Sequence, residues 1–154
     1  MQPATFSGMP TLWTIGYERL APEALVAELE AAGVARVLDV RERPQSRRPG
    51  MSKTKLGERL AAHGIAYEHR RSLGTPPEIR PFYRRSAVRE AARRYRAHAE
   101  QHAAAELDAL AAELAADGPA TALLCLEAEP SACHRSVVAD LLRERVPGLE
   151  VVDL

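Results

Sequence analysis

The chain has 154 residues, 46% hydrophobic and 27% charged, with a formal net charge of +0. That balance suits one soluble globular domain with a sizeable core, and it excludes a general polyanion binder as the default reading. No apolar run approaches transmembrane length, and the first ten residues lack a secretory h-region, so a reducing cytoplasm is the expected setting.

Residues 1–10 hold Pro, Gly and Ser and read as a flexible leader to a domain over 11–154. Thr11 to Ile15 is short and β-rich, and predicts the first strand. Pro22 opens a helix whose apolar face is Leu25, Val26 and Leu29, and Gly33 ends it. Arg36 to Val40 is the second strand. A loop with Arg41, Arg43, Pro44, Ser46, Arg47, Arg48, Pro49 and Gly50 follows. Its prolines and glycine forbid regular structure.

Ser52 is a natural N-cap for a helix over Lys53 to His63, stopped by Gly64. Ile65 to His69 is the third strand, and Arg70 to Pro81 a second loop. A long helical region, broken once, runs from about Phe82 to Ala116. Then come an apolar strand around Leu123 to Leu126, a polar loop, a helix carrying Val137, Val138, Leu141 and Leu142, and a last strand at Leu149 to Val152. Strands alternate with helices throughout. The expected fold is therefore α/β: one compact domain, a mainly parallel sheet of about five strands, and helices on both faces.

Charge is segregated along the chain. Arg36 to Arg59 carries eight basic and three acidic residues, Arg70 to Arg96 nine and two, and Glu100 to Asp117 five acidic residues with no Lys or Arg. One basic and one acidic surface are expected, with solvated helix faces as the plainer alternative.

In a parallel sheet, ligands bind beyond the carboxyl ends of the strands. The distinctive residues fall there: Gly16, Tyr17 and Glu18 after the first strand, Arg41, Arg43, Ser46 and Arg47 after the second, Arg71, Gly74 and Thr75 after the third, and Glu127, Glu129, Cys133, His134 and Arg135 after the fourth. Cys133, His134 and Arg135 are expected in the first turn of the last helix, where free N–H groups and the helix dipole favour a thiolate or a bound anion. Arg41, Arg47 and Arg135 are candidate anion ligands, since guanidinium matches phosphate and carboxylate geometry, and Ser46 adds a hydrogen bond. Structural ion pairs of these arginines with Asp39 and Glu42 are the competing reading. Cys133 is the candidate nucleophile, with a small packing residue at the helix N-terminus as the equal alternative; adjacent helix residues diverge by about 100°, so His134 is not assigned as its base. Glu18, Asp39 and Glu127 are candidate proton carriers, and Tyr17 a stacking residue or a lid on the core. Cys125 reads as core. Cys125, Cys133 and His134 lack paired-ligand spacing, so no metal is assigned, and no cofactor is called for.

Four motifs in order, TIGYE (14–18), LDVRERPQSRRPGMSK (38–53), LGTP (73–76) and CLEAEPSACHRSVVADLL (125–142), resemble the DUF488 family of bacterial and archaeal proteins of unknown function. The resemblance implies a compact α/β domain. It also implies a site including Tyr17, Glu18, Asp39, Arg41, Pro44, Ser46, Arg47, Glu127, Cys133, His134 and Arg135.

The leading functional expectation is an enzyme, a hydrolase or transferase, acting on a small phosphate-bearing or otherwise anionic substrate such as a nucleotide. The alternatives are a nucleic-acid-binding accessory protein, resting on the two basic segments, and a thiol redox sensor using Cys133. No membrane partner is expected, and nothing in the sequence sets the oligomeric state.

Overall fold

The computed structural model describes residues 9–154, so the leader expected over 1–10 lies almost wholly outside the described residues. Five strands form one sheet: β1 (Thr11–Gly16), β2 (Arg36–Asp39), β3 (Ala66–His69), β4 (Thr121–Cys125) and β5 (Glu150–Asp153). All the pairings are parallel, in the order β3-β2-β4-β1-β5.

The period of two along each strand builds two separate cores. Leu123 and Cys125 pack on one face with Leu12 and Leu38, while Ala122 and Leu124 pack on the other with Ile15 and Val37. The second face is covered by α1 (Pro22–Ala32) and α2 (Lys53–Ala62) through Leu25, Val26, Leu29, Leu56 and Leu60. The first is covered by α4 (Val88–His102), α5 (Ala104–Ala115) and α6 (Arg135–Arg145).

The segment read as a helix with one break is three helices. A short α3 (Arg80–Arg84) ends where Ser86 takes a left-handed φ of 61°, and α4 and α5 part at Ala103. Periodicity alone does not reveal a break made by one backbone conformation between good helix formers.

The expected basic and acidic surfaces are partly merged. Glu106 of α5 accepts from Arg70, Asp108 pairs with Arg145, and Arg96 pairs with both Glu100 and Glu144. Arg93 and Arg94 share Glu90 one turn away on α4. Much of the arginine-rich segment is thus neutralised within the fold. Among the described residues no helix is long and apolar enough to cross a membrane.

This topology positions the site. The chain leaves β1 and β2 toward one face and β4, which lies between them, toward the other. Their carboxyl ends therefore diverge around the end of β4, which is where a crevice opens in an open parallel sheet.

Candidate functional site

A cavity of about 350 Å³ occupies that crevice. Cys125, Leu126, Glu127, Ala132, Cys133 and His134 contribute one side, all at the end of β4 or in the loop beyond it. Tyr17 follows β1; Arg41, Glu42, Arg43 and Gln45 follow β2. Thr75, Arg80, Tyr83 and Arg84 close the remaining side.

The loop after β4 differs from its expected form. A 3₁₀ turn over Pro130–Ala132 comes first, Cys133 is extended (φ −140°, ψ 147°), and His134 occupies the cap position of α6. Cys133 therefore lies ahead of the helix rather than in its first turn. The proline and the short 3₁₀ turn delay the start of α6 and carry the thiol back over the end of β4.

That reversal makes a cluster. His134 Nδ1 lies 3.8 Å from Cys133 Sγ and 3.9 Å from Cys125 Sγ. The other ring nitrogen, Nε2, is 2.7 Å from the Val40 carbonyl, which only accepts, so Nε2 carries a proton and donates. In the neutral ring Nδ1 is then a lone-pair acceptor facing both thiols. Tyr95 packs edge-on against the imidazole at 5.0 Å and donates to the Leu73 carbonyl at 2.5 Å, so the ring is held from two sides.

Burial pushes the Cys133 thiol up, but a hydrogen bond from Cys125 and the nearby His134 and Arg135 outweigh it and hold Cys133 well below the usual thiol range. Cys125 is driven the other way, chiefly as the donor to Cys133 and then by burial. Burial would lower His134, yet the Cys133 charge raises it. Glu127 is pushed up to about 7, first by burial and then by the Cys133 charge. Two thiols driven in opposite directions, one imidazole and one carboxyl thus share the cavity floor.

Of the three anion ligands expected from the sequence, Arg41 lines the cavity but its N–H groups are held by the protein, and Arg47 and Arg135 lie off the lining. Arg135 is fully buried; it donates to Thr14 Oγ1 at 3.2 Å, to the Ala128 carbonyl at 3.3 Å and to the Glu127 carbonyl. It ties the β4 loop to the sheet and acts on Cys133 through its charge. Arg41 makes a two-pronged pair with Asp39 at 2.9 and 2.7 Å, and also donates to Met51 O and Tyr17 Oη. Asp39, fully buried, accepts from Tyr67 as well.

Ser46 lies outside the cavity wall. Its hydroxyl accepts from Arg48 N, and its backbone meets the Ser52 hydroxyl, so Ser52 staples the loop instead of capping α2. Arg47 is exposed and also off the wall. Pro44 instead receives a backbone bond from Lys53. Glu18 accepts from Ala128 N at 2.9 Å and braces the β4 loop from outside. Tyr17 lines the cavity with its ring under the Arg41 guanidinium, at 5.2 Å.

Close packing fixes this arrangement. A Cβ on Gly16 would stand 1.7 Å from the Glu127 carbonyl oxygen, and one on Gly74 would stand 2.4 Å from Glu42 Cα. Both glycines let two loops of the rim pass at backbone contact.

Sequence reasoning placed Thr75 on this edge but missed Arg80 and Tyr83 of the opposite wall. Thr75 Oγ1, Arg80 Nε and Tyr83 Oη are buried and have no hydrogen-bond partner among the described residues. All three belong to cavity-lining residues, and Thr75 is only 5% exposed. Glu42 is shared among Arg80 at 3.2 Å, Arg71 at 3.4 Å and Arg43 at 4.0 Å, so the wall keeps a cationic excess, to which Arg84 adds. The only signal in the sequence was an aromatic pair, Phe82 and Tyr83, set between arginines after the loop prolines.

Fold and site define an α/β domain with a thiol–imidazole floor and an arginine-lined wall at the carboxyl edge of a parallel sheet. The chain belongs to the DUF488 family: the model described as "Domain of unknown function DUF488" matches residues 21–142. No curated protein and no solved structure matches it.

Proposed function

We propose that this protein is an enzyme acting on a small anionic, phosphate-bearing substrate in the cavity at the end of β4. One observation carries the reading: a single cavity joins the Cys133–His134 pair to three buried polar groups, on Thr75, Arg80 and Tyr83, that lack protein partners. Buried polar groups are costly to leave unpaired, and Arg80 Nε can only donate. An oxyanion satisfies such a set, and Arg43 and Arg84 add favourable charge.

Cys133 is the nucleophile in this reading. His134 stabilises its thiolate, with the ring fixed by the Val40 carbonyl. The sulfur–substrate bond forms as the bond to the leaving group breaks. Glu127, near pH 7 in its titration, gives its proton to the leaving group and then takes one from the water that releases the product. Arg41, Arg135, Asp39, Glu18 and Ser46 hold the loops that carry these groups.

Thermal unfolding against phosphate, sulfate, mononucleotides and short oligonucleotides at fixed salt tests this, because a ligand that prefers the native state raises its stability. Selective stabilisation by a phosphate-bearing small molecule, lost in R80A, is the expected result. Stabilisation by oligonucleotides alone, falling steeply with salt, would replace the enzyme by a nucleic-acid-binding protein. No shift at millimolar ligand would overturn the reading.

A further inference from the structure

The two thiols and the imidazole on the cavity floor also have the donor set and spacing of a metal site. We propose that Cys125 Sγ, Cys133 Sγ and His134 Nδ1 bind one Zn²⁺, with the fourth coordination position turned to the cavity. The three atoms lie within 4.8 Å of one another. In a tetrahedral zinc site with Zn–S near 2.3 Å and Zn–N near 2.0 Å, sulfur and nitrogen stand about 3.6 Å apart and the two sulfurs about 3.8 Å. The observed S···N separations of 3.8 and 3.9 Å need only a few tenths of an ångström of contraction, and the two sulfurs, within 4.8 Å of each other, would close by at most about 1 Å.

Three further features fit the metal. Thiolate and imidazole are the ligands that zinc prefers among protein donors. His134 already donates its far N–H to a backbone carbonyl, Val40 O, the outer contact that orients a zinc-bound histidine and leaves Nδ1 as the ligand atom. Cys2His with one open position is a donor set found in catalytic zinc sites, and here that position meets the cationic wall and Glu127. On binding, any proton on a ligating thiol passes to solvent and two Zn–S bonds and one Zn–N bond form. Zinc would draw on the Cys133 thiolate and His134 Nδ1, so metal loading would compete with the thiolate attack proposed above. The inference does not rest on the enzyme reading above.

The test is metal binding to the reduced, full-length protein with no substrate present. Titration with Zn²⁺ against a chromophoric chelator should give one site. Co²⁺ in its place should show thiolate-to-metal charge transfer and the intense visible bands of a tetrahedral ion. C125S and C133S should each weaken binding by about 100-fold or more, at least the loss that follows removal of an outer partner. H98Q/H102Q, which removes the histidine pair on α4, should leave binding unchanged. Should either serine variant unfold, alkylation of the native protein decides: one equivalent of Zn²⁺ protects both cysteines, counted by mass. A Co²⁺ complex without thiolate charge transfer, or no protection of the thiols, overturns the proposal. Binding equally tight in C125S and C133S, or lost in H98Q/H102Q, places the metal elsewhere and also overturns it. Zinc binding with no response to anions would leave this site standing and remove the phosphate reading; the reverse result would do the opposite.

Discussion

Two groups of arginines surround the cavity, and they do opposite work. Arg41, Arg48 and Arg135 spend their N–H groups on the protein: Asp39 and Met51 O for Arg41, three carbonyls between Tyr17 and Leu20 for Arg48, and Thr14 with the β4 loop for Arg135. Arg43, Arg80 and Arg84 face the cavity with one shared carboxylate between the first two. The first group holds the loops; the second, in the reading proposed above, sets what the cavity attracts. A guanidinium supplies either function, and the choice depends on whether acceptors from its own fold surround it.

Breaking the first group should cost stability. Asp39→Ala strands the buried Arg41 charge and should destabilise by about 3–5 kcal/mol, read as a lower midpoint in urea at unchanged slope. A loss below about 1 kcal/mol would show that the pair is not what holds the β2 loop.

Arg135→Met comes next, near 2–3 kcal/mol, since it leaves the Glu127 and Ala128 carbonyls without their donor. It should also slow alkylation of Cys133 at pH 7, because a nearby positive charge and the tether of the loop are lost together. An unchanged alkylation rate would separate Arg135 from the thiol.

Breaking the second group should spare the fold and weaken the ligand. Arg80→Ala is expected to reduce phosphate affinity by about 1–3 kcal/mol, measured by calorimetry. Tyr83→Phe removes a hydroxyl that has no protein partner, so stability should hold while affinity falls by about 0.5–1.5 kcal/mol. A stability loss equal to the affinity loss would mean that the hydroxyl serves the fold. Arg47→Ala is the smallest change: exposed and off the wall, it should alter both quantities by less than about 0.5 kcal/mol.

Much of the architecture was legible in the sequence. The apolar run through Leu123 and Leu124 marks a strand buried on both faces, and Pro22 and Gly33 bracket α1 where the structure has it. The convergence of four loops on one sheet edge followed from parallel connectivity alone. Boundaries near α3 were not legible, because the turn at Ser86 depends on a left-handed backbone at a residue that rarely adopts it.

The strands, most of the helices and the parallel sheet are legible in the residues alone, and so are most of the loops that line the cavity. These depend on local periodicity and on turn chemistry, which each segment carries in its own residues. Which polar groups meet is set by packing in three dimensions. Seven residues separate Cys125 from Cys133, a spacing that argued against shared chemistry. The 3₁₀ turn and the extended Cys133 fold that spacing back until both thiols face one imidazole. The partners of Arg41, Arg80 and Arg135 were likewise settled by packing between elements distant in the chain, because a side chain's bonds depend on what surrounds it rather than on what precedes it.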